Sequence, residues 1–203
     1  MNGALSLVEY YGALGSSLPW GKTYRNLSFV YDNQTASGAS VSLPDTYAVN
    51  AAGKTVIASG SGNDISLPAL NTFAGGVVIG DETSGVTAGH VVLNASALTI
   101  ESGAVCDSLH VKCNVTAGSV KTSAQVPGTT DSETQIYEGA VSLTGDAVFT
   151  GTAGHKIIFD GNVSQQPESS ARIKTSGSDA EFNGSLTAAQ ILAEANVLFA
   201  GNV

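Results

Sequence analysis

From about residue 51 the chain is a succession of short apolar runs separated by Gly, Asn or Asp. KTVIA (54–58), GGVVIG (75–80), HVVLNASALTI (90–100), AVCDSLHV (104–111) and NVTAGSV (114–120) are followed by AVSLTGDAVF (140–149), HKIIFDGNV (155–163), ARIKT (171–175), AEFNGSL (180–186) and NVLFAGNV (196–203). Many alternate apolar with polar positions, the period of a strand with one face buried. Short strands with frequent turn residues predict an all-β fold: a solenoid, a barrel or a sandwich.

The phenylalanines favour the solenoid. Five of the six share one frame, a Phe two residues before a glycine: Phe73-Ala-Gly75, Phe149-Thr-Gly151, Phe159-Asp-Gly161, Phe182-Asn-Gly184 and Phe199-Ala-Gly201. In a parallel β-helix each coil stacks on the next, so the ring would face the interior and the middle residue the solvent. The glycine would then turn a corner at positive φ without steric cost. A coil of three short strands needs roughly 20 residues. Successive frame Phe residues lie 76, 10, 23 and 17 positions apart, near four coils, half a coil, one and one. The prediction is a parallel β-helix over residues 51–203, with Phe73, Phe149, Phe159, Phe182 and Phe199 as its core ladder. A β-sandwich whose strands end at Phe-x-Gly is the alternative.

Residues 1–50 differ in texture. They hold five of the six tyrosines, Trp20 and Phe29, and predict a less regular N-terminal cap with strands at LSFVY (27–31) and SVSLP (40–44). A short helix capped at Asn2 is expected, and a short helix or turn from Thr187, where Thr and Gln190 have capping-box spacing before good helix formers. The polar stretch 125–134 reads as a surface loop. Residues 4–18 lack the basic start of a signal peptide and are interrupted by Glu9, so if the protein is exported the chain reads as a mature or excised piece.

Composition narrows the function more than it names it. The formal charge of −9, with only 12% charged residues, removes the basic face that nucleic acid requires. An acidic surface rich in hydroxyls and amides fits an extracellular setting. No nucleophile elbow or phosphate-cradling glycine loop occurs. Arg172-Ile173-Lys174 matches a basic triplet that polygalacturonases use, with His155 upstream. The paired carboxylates of a glycosidase are missing beside it, and an alternating strand with Ile173 inward accounts for the triplet.

Cys106 and Cys113 bracket Asp107-Ser108 and suggest a disulfide across a corner. Two free thiols inside a solenoid, or a metal site with His110, are the other readings. Gly60-Ser-Gly-Asn-Asp64 approaches a calcium nonapeptide, but Ser66 stands where that motif needs an apolar residue, so a turn is expected. No cofactor is expected. Six Asn-x-Ser/Thr sequons occur, at Asn26, Asn33, Asn94, Asn114, Asn162 and Asn183.

LNTFAGGVVI (70–79) resembles the repeat associated with autotransporter passenger domains, and residues 140–163 look like a looser copy. GGVV (75–78) with FDGN (159–162) and FAGN (199–202) is similar to the paired motifs of chlamydial polymorphic membrane proteins. The resemblance implies a right-handed parallel β-helix, displayed on or released from a bacterial surface as an adhesin that contacts a protein or glycan of a host or neighbouring cell. A filament or virion-fibre subunit that self-associates by strand pairing, and a carbohydrate-active β-helix, are the alternatives.

Overall fold

The computed structural model describes residues 7–11, 23–30, 41–80, 85–166, 171–188 and 190–203. Among these there is no helix, and 23 strands form two long sheets. Every strand pair is parallel. That excludes the sandwich, whose sheets are antiparallel, and makes the fold a parallel β-helix.

The nine-stranded sheet, here face A, stacks Leu7–Tyr11, Asn26–Val30, Thr55–Ala58, Val77–Ile79, Leu98–Ile100, Val115–Ala117, Val141–Leu143, Val163–Gln165 and Leu186–Thr187. The other sheet folds over two faces. Its main path ends in Val120–Thr122, Ala147–Thr150, Arg172–Ser176 and Gln190–Ala193, here face B. Its branch, face C, runs through Glu133–Tyr137, Lys156–Phe159, Asp179–Phe182 and Val197–Phe199. Two earlier strands, Ala88–Ala95 and Ala104–Val111, each cover both faces with a bend between. At the second bend the alternation breaks, and four consecutive residues, Cys106 to Leu109, are buried. Coil length is uneven: Ala180 pairs with Val197 17 positions on, Ile65 with Val91 26 positions on.

Residues 7–51 contribute strands to these same sheets, so the parallel stacking extends N-terminal to residue 51. Asn2 and Trp20 lie outside the described residues. Where the chain after Asn2 is described, Leu7–Tyr11 is a strand paired with Asn26–Val30 and not the expected helix. The helix expected after Thr187 is also replaced by strands. Ile191, Leu192 and Ala193 pair in register with Ile173, Lys174 and Thr175. A helix of a few residues has too few bonds to offset nucleation, whereas the coil beneath supplies a ready template.

The interior is a continuous apolar column. Tyr137, Phe159, Phe182 and Phe199 stack in register on face C, with centroid spacings of 5.0, 4.7 and 5.5 Å. Phe149 comes from face B and meets Tyr137 and Phe159 edge-on at 5.7 and 5.1 Å. This explains the ten-residue gap between Phe149 and Phe159: they are opposite walls of one coil. Phe73 is buried several coils away beside its register partner Ala51. The five rings therefore do not form one pile. Phe199 is 39% exposed on the last coil. Each buried ring contributes about 1.5–3 kcal/mol by burial and each ring pair about 0.5–1.5 more.

The frame glycines have a different cause from the one expected. Gly75, Gly161, Gly184 and Gly201 are not among the residues at positive φ. They are required because successive coils touch there. A Cβ on Gly161 would press into the Gly139 carbonyl, one on Gly184 would lie 2.5 Å from Gly161, and one on Gly201 would meet Gly184. Tyr137-Glu138-Gly139 is a further copy of the frame, with Tyr in place of Phe. Of the positive-φ glycines, Gly76 directly follows Gly75 at the same corner, while others such as Gly128 and Gly154 sit in turns elsewhere.

Gly161→Ala is expected to destabilise the protein by about 3 kcal/mol through forced separation of the coils. At Gly145 φ is not positive and the place a Cβ would take has nothing within 4 Å, so Ala should be accepted within about 0.5 kcal/mol or stabilise slightly. Urea unfolding of the two variants tests this; equal costs would refute the stacking explanation.

Candidate functional site

The glycine corner between faces C and A is a six-residue module. A buried ring or aliphatic residue is followed by an outward residue, a glycine, a polar residue, a buried Val or Leu, and a hydroxyl residue. Phe159-Asp-Gly-Asn-Val-Ser164, Tyr137-Glu-Gly-Ala-Val-Ser142, Phe182-Asn-Gly-Ser-Leu-Thr187 and Val111-Lys-Cys-Asn-Val-Thr116 are copies, the second with Ala140 in the polar place and the last with Cys113 in the glycine place. The glycine lets two coils approach. The asparagine then ties them: Asn26 accepts from the Lys54 N–H at 3.1 Å, Asn114 from Ala140 at 2.9 Å and Asn162 from Ser185 at 2.9 Å.

The last residue of the module points outward on face A. Register places Thr99, Thr116, Ser142, Ser164 and Thr187 side by side on five successive coils. Parallel strands bring such neighbours about 4.8 Å apart. None of the five hydroxyls bonds within the chain among the described residues. Four of them line a groove of about 460 Å³. Thr72, Ala74 and Ala97 also line it, and no charged residue does.

None of these hydroxyls stands out as a site in the sequence. The signal was nonetheless visible, because three of its sequons, Asn26-Leu-Ser28, Asn114-Val-Thr116 and Asn162-Val-Ser164, are this corner asparagine followed by the start of a face A strand. Asn94 donates to the Pro68 carbonyl and Asn183 to the Asp160 carboxylate, so they too link coils. Asn33 lies outside the described residues.

The other candidates are scattered over the surface and core. Ile173 points inward, while Arg172 ion-pairs with Asp146 and Lys174 with Glu194 at 2.5 Å. Arg172 holds the exposed Asp146 carboxyl below its usual range. His155 lies at a turn, its ring nitrogen 3.4 Å from the Ala153 carbonyl oxygen. Gly60–Asp64 forms a turn clamped from another coil: Ser61 and the Gly62 N–H donate to the Asp107 carboxylate at 2.8 and 2.7 Å. Ser108 lies 2.8 Å from a His90 ring nitrogen, but it is 1% exposed and closed to any substrate.

Cys106 and Cys113 are free thiols, not the expected disulfide. The segment between them is strand, not hairpin. Cys106 is buried at the bend of that strand, whereas Cys113 takes the glycine place at the next corner. His110 faces outward to Glu138 at 2.7 Å and does not join the thiols. Burial pushes both thiols above their ordinary range, far more so for Cys106.

A neutral-pH thiol reagent should therefore modify Cys113 slowly and leave Cys106 untouched until the protein is unfolded, when two labels appear by mass spectrometry. Labelling both equally in the native state would contradict the assignment. Asn162→Ala, which removes the acceptor for Ser185, should cost about 1 kcal/mol in urea unfolding; a neutral outcome would reduce the asparagine to a surface residue.

Comparison of the chain with protein-family models, with curated proteins and with solved structures gives no match.

Proposed function

We infer that the chain is a non-enzymatic β-helix of the autotransporter-passenger kind, carried on or released from a bacterial surface and acting by contact. The observation that carries this reading is the outer surface of face A: a file of hydroxyls, unspent among the described residues and held in register by a stack of coils. A solenoid presents such repeated groups along its whole length, which suits adhesion better than turnover at one point. Sparse charge, with ion pairs that mostly bridge neighbouring coils, suits a stiff scaffold. The Phe-x-Gly modules, which resemble those of the passenger domains, generate this architecture.

The loop around Gly128 is a turn between two strands, a place where an insertion is tolerated. An epitope placed there in the full-length protein, expressed in its native host, should be cleaved by protease added to intact cells. Deleting the gene should reduce cell attachment. An epitope protected until the cells are lysed would reject the surface assignment.

A further inference from the structure

We propose that the face A groove binds an uncharged, extended glycan lying along the solenoid axis, with Thr116 and Ser142 at its centre and Thr99 and Ser164 at its ends. The proposal rests on the contact reading above and names the chemistry of the contact.

Some hydroxyls outside the groove are used for folding. Ser61 donates to Asp107 and Ser176 to Glu194 on the surface, and the buried Thr134 donates to Thr122 and the Ala124 carbonyl and Ser178 to the Thr152 carbonyl. Among the described residues the four groove hydroxyls make no such bond. A free hydroxyl both donates and accepts, which is the pairing that sugar hydroxyls also require. The coil repeat of about 4.8 Å is close to the advance per ring of an extended hexose chain, so successive rings meet successive coils. Asn114 adds an amide, and the methyls of Ala74, Ala97 and Ala140 give the C–H faces of a ring somewhere to lie. The groove volume of about 460 Å³ falls in the usual range for small-ligand sites.

Charge selects against the competing occupants. No Lys or Arg lines the groove, and the chain carries a formal charge of −9. Uronate polymers, sulfated glycans and phosphates gain nothing there and are repelled at long range. A peptide strand needs an open sheet edge for its backbone bonds. Face A at this point shows the middle of a sheet whose strands are paired on both sides.

The test is calorimetric titration of the full-length protein with neutral oligosaccharides of glucose, mannose and N-acetylglucosamine, and with polygalacturonate. At least one neutral series should bind saturably, gain affinity with chain length, and change little with salt. The double variant Thr116→Val, Ser142→Ala should weaken binding about tenfold or more, since two hydrogen bonds are lost. Ser176→Ala, on another face, should leave it unchanged. If the double variant does not fold by circular dichroism, Ser142→Ala alone should weaken binding severalfold. Failure of every neutral sugar, a preference for polygalacturonate, or full affinity in the face A variants would overturn the proposal. A surface-exposed epitope with no neutral glycan bound would remove the glycan site and leave the contact reading in place. Glycan binding by a protein that stays inside the cell would do the reverse.

Discussion

The structure depends on how closely one coil can approach the next. Backbone pairing holds adjacent coils at about 4.8 Å along each face, and a corner has to keep that spacing while the chain changes direction. At the corner between faces C and A the backbones come so close that a Cβ would overlap the previous coil's main chain at Gly139, Gly161, Gly184 and Gly201. Glycine there is a requirement of contact, not of dihedral freedom. Once the corners nest, rings one strand earlier fall above one another, and the hydroxyls that follow each corner do the same outside.

The inside and the outside of the helix are thus two readings of one register. Tyr137, Phe159 and Phe182 fill the interior because each coil repeats the same step. Thr116, Ser142 and Ser164 line up on the surface for the same reason. The corner asparagines add directional bonds that resist slippage between coils, which apolar stacking alone would tolerate. A slip of one residue would send each strand's side chains to the opposite face.

Polar groups inside the column show how an irregular coil is accommodated. The loop expected at 125–134 spans residues 123–132, and Glu133 and Thr134 already belong to the next strand; where the chain re-enters the stack Thr134 and Gln135 are buried. Gln135 donates to the Thr150 carbonyl at 2.9 Å and to Thr122 at 3.1 Å, and accepts from the Tyr137 hydroxyl at 2.9 Å. These bonds satisfy groups that would otherwise cost about 1–3 kcal/mol each when buried. The extra length of that coil is absorbed without breaking the ring stack. Asp107 plays a similar part at the bend of Ala104–Val111, holding the 60–64 turn from a different coil.

Sequence by itself favoured the parallel β-helix over a sandwich, because the Phe-x-Gly frame recurs at coil-like spacing, and the all-parallel pairing then decided it. It also determined which frame residues face inward, since strand alternation is local. It placed Ile173 correctly within Arg172-Ile173-Lys174 for the same reason. Tertiary structure decided what local pattern could not reach. It assigned Phe149 and Phe159 to opposite walls and drew the Thr187 segment into strands. It kept Cys106 and Cys113 apart along a strand. Above all it converted scattered Ser and Thr residues into a file, because register between coils of unequal length is fixed only when the coils pack.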